Sequence, residues 1–442
     1  MKKTAYVLVL SLLTGLGFVA CEHDKDDILP DAQTYRIATP LTANLVTFKE
    51  EAVAVTDPIP IEESGKIYAY KNYVFVNDLY RGFHILDNSD PSAPEAIGFI
   101  KLEGNNDISI KDDRLYADSY GDLVVLDISD IENIPPAKRI ENAIYQQFWC
   151  TVGSEVDWPE ADLFDYSGFD ANTEAIVGWE VKEERLNGVQ VEARFGFNPN
   201  SPSTSFDLAN TSSAESVAVP VAESPTTGQG GSLARFRIVG DYLYAVEWSS
   251  INIFDISDLD NPKAEEEVWV NGSIETIYNQ GDILFLGGTR GMYIYDITNP
   301  KKPTYISEFV HGRACDPVVV DGDYAYVTLK GNDWCGEVES GLYVVNLTDL
   351  KNPVLQKFYP LTGPNGLGFK GNNLFICDGD DGLKVYDKSN VEDLKLVNHF
   401  EDIVTYDVIP LQNSLLMIGD KILYQYSYLE DNIRLLSTFD LR

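Results

Sequence analysis

The stretch Val125-Leu126-Asp127-Ile128-Ser129-Asp130 decides the fold, because close copies of it recur along the chain. It appears first as Ile85-Leu86-Asp87-Asn88-Ser89-Asp90 and again as Ile253-Phe254-Asp255-Ile256-Ser257-Asp258. Ile294-Tyr295-Asp296-Ile297-Thr298-Asn299, Val344-Val345-Asn346-Leu347-Thr348-Asp349 and Val385-Tyr386-Asp387-Lys388-Ser389-Asn390 follow. A degenerate seventh copy surrounds Tyr426-Ser427-Tyr428-Leu429-Glu430-Asp431 and lacks the Asp at Ser427. Each copy ends an apolar run on a side chain that bonds backbone amides well. Asp and Ser or Thr in this order form Asx- and ST-turns, and a nearby Pro (Pro91, Pro262, Pro303, Pro353) stiffens the bend. These residues therefore read as turn formers and not as metal ligands.

The spacing sets the architecture. Asp87 to Asp127 is 40 residues, Asp255 to Asp296 is 41, Asn346 to Asp387 is 41, and Asp387 to Ser427 is 40. A period near 40 with only strand-like segments marks the four-stranded blades of a β-propeller. In the second period the strands read as Asp107–Lys111, Arg114–Asp118, Leu123–Ile128 and Lys138–Ala143. Asp112-Asp113, Tyr120-Gly121 and Ile134-Pro135-Pro136 separate them. The third strand is apolar at nearly every position, as in a sheet covered on both faces. The fold class is all-β, a β-propeller of seven four-stranded blades. The degenerate last copy leaves six or eight as alternatives. Two intervals are long. Asp296 to Asn346 is 50, and Asp127 to Asp255 is 128, which places an insertion of about 88 residues between blades two and three.

Several segments resemble LVIVD-repeat lipoproteins. They are Gly65-Lys66-Ile67-Tyr68, Leu115-Tyr116-Ala117-Asp118-Ser119-Tyr120 with Asp122–Asp127, and Gly230-Gly231-Ser232-Leu233-Ala234-Arg235-Phe236. Cys315-Asp316-Pro317-Val318-Val319-Val320 with Tyr324–Leu329 is similar. The resemblance covers roughly residues 60 to 442 and implies a β-propeller on an outer-membrane-type lipoprotein. It brings no activity and no catalytic residues.

The start of the chain gives an address. Lys2 and Lys3 precede an apolar run, Ala5–Leu13, too short to span a bilayer as a mature helix. The run ends in Phe18-Val19-Ala20-Cys21, which resembles a lipobox and makes Cys21 the lipidated residue, carrying diacylglycerol and an acyl chain such as palmitate. Glu22-His23-Asp24-Lys25-Asp26-Asp27 is similar to the acidic export tag of some surface lipoproteins. The expected organisation is a signal peptide at 1–20, a lipidated tether and extended arm at 21–60, and the propeller at 61–442 with a flap at about 148–231. Thr42–Val55 could add a strand to the ring edge or lie across its side. The expected location is the outer membrane, lipid-anchored and facing the exterior.

Composition narrows the ligand. The net charge is −37, and loss of Lys2 and Lys3 makes it −39. Such a field repels nucleic acid and anionic headgroups. Export permits disulfides. Cys315 and Cys335 fall on one rim, where a bridge would close a loop of about 20 residues worth roughly 3 kcal/mol. Cys150 and Cys377 either pair or leave Cys377 a buried thiol. His23, His84, His311 and His399 lack metal-ligand spacing. Asp378-Gly379-Asp380-Asp381-Gly382 departs from the EF-hand order and reads as a turn, so calcium is conceivable but unsupported and no other cofactor is implied.

Aligning the repeats puts Lys66, Asn106, Asp107, Arg235, Glu275, Asp316, Asn365 and Asp407 at a channel mouth. Loops between second and third strands add Tyr80, Arg81, Tyr120, Trp248, Arg290, Trp334, Asp378 and Asp380 on the same rim. Aromatics beside charges suit sugars or cations. These features favour a binding or scaffolding module for a glycan, protein or peptide over an enzyme. The alternative is a polysaccharide hydrolase or lyase using channel carboxylates.

Overall fold

The computed structural model describes residues 32–144, 151–154, 156–195, 226–313, 317–331, 338–430 and 432–442. The signal-peptide, Cys21, Cys150, Asp316, Trp334 and Cys315–Cys335 expectations lie outside them. The chain divides into two compact units, a small one from Met1–Pro40, Trp158–Gly168 and Trp179–Ser205, and a large one from the remainder.

The large unit is a β-propeller. Among the described residues it holds seven sheets in which consecutive strands are antiparallel neighbours. Blade one is Ser64–Tyr70, Tyr73–Asp78, Gly82–Asp87 and Glu95–Leu102. Blade two is Ile108–Lys111, Arg114–Ser119, Asp122–Asp127 and Lys138–Ile140, close to the sequence boundaries. Its last strand stops short of Ala143 because Asn142 turns at φ +55° and gives its amide to Asp122. The inner strands of blades three to seven are Phe236–Val239, Ile274–Gln280, Val318–Asp321, Leu367–Lys370 and Asp407–Pro410. Each inner strand contacts the next, and Asp407–Pro410 contacts Ser64–Tyr70, so the ring closes. Among the described residues no strand is exchanged between its first and last blades.

Apolar pressure explains the closure. Gly291–Asp296 and Ser414–Gly419 are buried at every position. A sheet apolar on both faces needs a neighbour on each side. The first and last blades meet in a shared core of Ile67, Val74, Val76, Ile409, Leu416 and Ile418. Tyrosines add directed ties. Tyr116 of blade two donates to the carbonyl of Leu259 at 2.9 Å, and Tyr244 of blade three to that of Pro300 at 2.9 Å.

The repeated motif does what its chemistry suggests. Asp87, Asp127, Asp255, Asp296, Asn346 and Asp387 each accept the amide two residues on, at 2.7–3.0 Å. These bonds hold the exposed Asp255 carboxyl down at about 2, first through Ser257. The hairpin joining first and second strands needs left-handed backbone, supplied by Gly240 (φ +58°) and Gly322 (φ +59°).

The arm preceding blade one is partly structured. Asn44 caps a short helix, Leu45–Glu51, through the Thr47 amide at 3.1 Å. Val53–Thr56 then pairs with Phe99–Leu102 on the outer edge of blade one. Lys49 of the helix reaches the buried Asp122 carboxylate at 2.7 Å, which Arg139 also binds at 3.0 Å.

In the small unit Ile37 and Ala38 pair in parallel with Leu163 and Phe164. Ile37, Leu163 and Val191 form its core. Trp158, Phe164, Tyr166 and Trp179 cluster at centroid distances of 4.9–6.4 Å.

Removing one inter-blade tie has a measurable cost. Tyr244→Phe leaves the half-buried Pro300 carbonyl without its donor and is expected to cost about 1 kcal/mol. A lowered urea midpoint with unchanged slope checks it; an unchanged midpoint means the hydroxyl contributes nothing.

Candidate functional site

The site is built from blade ends. Strand two ends in or beside a carboxylate in four blades (Asp78, Asp118, Glu247 and Asp378), and in three of them, all but Glu247, it binds the loop entering its own inner strand. Asp78 accepts the amides of Glu62 and Glu63 at 3.2 and 2.9 Å. Asp118 accepts those of Asn106 and Asp107 at 2.9 and 3.1 Å. Asp378 accepts those of Thr362 and Gly363 at 3.0 and 2.8 Å. These amides have no ladder partner, so the carboxylate satisfies groups that would otherwise cost desolvation energy. Burial pushes the Asp118 carboxyl above the usual range. Burial acts the same way on Asp78, but His84, the Glu63 and Glu62 amides and Arg81 outweigh it and hold that carboxyl low.

A second set of carboxylates joins neighbouring blades at the axis. Asp107 of blade two accepts the Arg235 and Phe236 amides of blade three, the latter at 3.1 Å. Asp407 of blade seven accepts the Ile67 amide of blade one at 3.3 Å. Both also bind the amide that follows them, Ile108 and Val408, at 2.9 Å. Lys66 sits 3.6 Å from Asp107 and donates to the Asn106 carbonyl at 3.3 Å. Arg235 pairs with Glu247 at 3.3 Å.

The structure thus brings together Lys66, Asn106, Asp107, Arg235 and Asp407. Asn365 ties blades five to seven, accepting from the Thr328 hydroxyl at 2.8 Å and donating to the Thr405 carbonyl at 3.1 Å. Glu275 is half-buried and Arg290 is exposed. Asp118 and Glu247 belong to the cluster and were missed by the alignment. Their signal was the end of strand two, nine residues before the turn Asp for Asp118 and eight for Glu247.

Burial sets the electrostatics. Asp107 is 3% exposed and Asp407 0%. Burial pushes Asp407 up to about 7, raises Glu247, and lowers the Lys66 ammonium. These groups hold the inner strands together beneath the surface.

The chain itself occupies part of the axis. Gln229–Gly230 pairs with Tyr68–Ala69 of the innermost strand of blade one. Gly228 donates to the Ile110 carbonyl at 2.9 Å, and the Ser232 hydroxyl accepts the Leu367 amide at 2.8 Å. The sequence boundary places this segment at the end of a flap, because Gly, Ser and Thr read as a loop. Glycine instead permits close approach: a Cβ on Gly231 would lie 2.1 Å from the Asp407 carboxylate.

The rim carries exposed aromatics. Tyr80 and Trp248 turn between second and third strands at φ +59° and +29°, conformations costly for bulky residues. They are 56% and 62% exposed, and Trp269 on the last strand of blade three is 65% exposed. Trp269 lies opposite Ser250, two residues from Trp248. Tyr120 also has φ +50° but is covered by Phe48 at 4.7 Å. Arg81 is drawn to Asp78 at 2.8 Å.

The remaining sequence candidates are structural. Cys377 is a fully buried free thiol, raised by burial. His84 packs on Phe99 at 4.8 Å, inside the core. Burial lowers His311 to about 4. The Asp378–Gly382 loop is a 3-10 turn in which Lys384 binds both Asp378 and Asp381.

The LVIVD repeat family model matches residues 63–100, 105–133, 230–269 and 311–335. No curated protein matches the chain. Among solved structures, the periplasmic gluconolactonase of Pseudomonas aeruginosa is 9% identical over 88% of this chain and 96% of its own, at a TM-score of 0.49. The computationally designed Ika8 protein is 10% identical over 87% and 90%, at 0.45.

Asp407 gives a pH prediction. Folded, it keeps its proton to about pH 7, whereas its ordinary value is 3.8. Its stabilising contribution is complete below the lower value and disappears as pH rises through the higher one. Melting of Asp407→Asn against the parent should therefore shift in the variant's favour between pH 4 and 8. A difference that stays flat with pH contradicts this.

Proposed function

We propose that this β-propeller, four segments of which match the LVIVD repeat model, is a lipid-anchored binding module of the cell surface, taking a glycan or protein ligand on the rim around Trp248. The observation that carries this is the contrast between axis and rim. Asp107, Asp118 and Asp407 at the axis are buried and bound by backbone amides, which disfavours acid–base work by them on a polymer. The groups left exposed are contact groups: Tyr80, Trp248, Trp269 and Arg290. Large exposed aromatics held in costly turns favour ligand contact over packing. The acidic surface disfavours nucleic acid and suits neutral sugars or basic protein patches.

Two measurements test the reading. Trp248→Ala and Trp269→Ala should each weaken capture on a glycan array or protein pulldown by about ten-fold or more, at unchanged melting temperature. Equal capture by both variants moves the site elsewhere. Cys21→Ala should abolish palmitate labelling and release the protein from membranes. Retained labelling removes the anchor from the account.

A further inference from the structure

The seam between blades seven and one is held by the Asp407 bond to the Ile67 amide and by the apolar core beside it. Among the described residues no strand crosses it. The channel edge of an innermost strand presents backbone groups without ladder partners, and such an edge accepts an added strand. In blade one that edge is taken by the chain itself, through residues 226–232.

This segment touches both sides of the seam and the blades beyond it. On blade one, Gln229 and Gly230 pair with Ala69 and Tyr68. On blade two, the Gly228 amide donates to the Ile110 carbonyl at 2.9 Å, the Thr226 carbonyl accepts the Asp112 amide at 3.1 Å, and Thr227 bridges to Lys111. On blade seven, the Gln229 side chain donates to the Pro410 carbonyl at 3.3 Å, and Gly231 packs directly on the Asp407 carboxylate. On blade six, the Ser232 hydroxyl accepts the Leu367 amide at 2.8 Å. Two of these contacts flank the bond that crosses the seam: Gly230 lies on Tyr68, next to Ile67, and Gly231 lies on Asp407. Such closeness requires glycine. A Cβ at Gly228 would sit 2.3 Å from the Tyr68 ring and 2.9 Å from the Ala69 carbonyl.

We infer that residues 226–232 form an axial clasp, a strap that fastens blade seven to blade one from the channel side in place of strand exchange. Apolar packing brings the two blades together, and the clasp keeps their seam from opening locally. The strap leads into the inner strand of blade three, Phe236–Val239, so it ties the seam to a blade two places away. This role is independent of what the rim binds.

Residue-resolved hydrogen exchange on the full chain tests the clasp in two variants. Gln229→Ala with Ser232→Ala removes the ties to blades seven and six and leaves the backbone pairing with blade one. Gly228→Val drives a side chain against Tyr68 and Ala69 and lifts the strap from blade one. In each, the Ile67 amide should exchange at least about ten-fold faster than in the parent, while Leu286 of blade four and Val344 of blade five keep the parent rate. The double variant decides alone if Gly228→Val does not fold. An unchanged Ile67 rate in either folded variant overturns the clasp. So does an equal acceleration at all three amides, because the segment then supports the whole fold and not the seam.

Discussion

The structure depends on one constraint: a sheet that is apolar on both faces must be covered on both. Four-stranded units of this kind are unstable alone and gain by stacking. A linear stack would leave an uncovered face at each end. The ring has none, because Ile67 and Val76 of blade one pack against Ile409 and Ile418 of blade seven. At about 25 cal/mol per Å² of apolar surface, that one shared face contributes several kcal/mol. Circular closure here is a consequence of sheet composition.

Closure brings the starts of the inner strands together at the axis, where their amides have few ladder partners. The chain answers this with carboxylates. Asp107 bridges blades two and three, and Asp407 bridges blades seven and one. Placing such groups out of water is costly, and Asp407 partly avoids the cost by keeping its proton to about pH 7. Lys66 and Arg235 offset the remaining charge. This arrangement assigns the axial acids to assembly, and in the proposed reading contact falls to the exposed aromatics of the rim.

The fold was legible because its signals are local. The turn Asp or Asn needs only its neighbour two residues on, so six copies kept their spelling, and a spacing of 40 or 41 residues wherever no insertion intervenes. The axial positions were legible by the same register: Lys66, Asp107, Arg235 and Asp407 do meet. Their burial was not, since an aligned position says nothing of what covers it. The threading of Gln229–Gly230 along blade one was hidden for a related reason. Two residues of pairing leave no pattern, and the glycines that permit it are the residues that also mark a loop. Asp118 and Glu247 fall outside that register because they end strand two and not strand one.

The amide of Ile67 reports closure most directly, since it belongs to blade one and is held by Asp407 of blade seven. Residue-resolved hydrogen exchange at pH 7 reads it without any substitution. A closed ring predicts exchange at Ile67 as slow as at the most protected core amides, opening only with global unfolding. Exchange there within seconds, while Val76 and Leu416 stay protected, would contradict the closed ring.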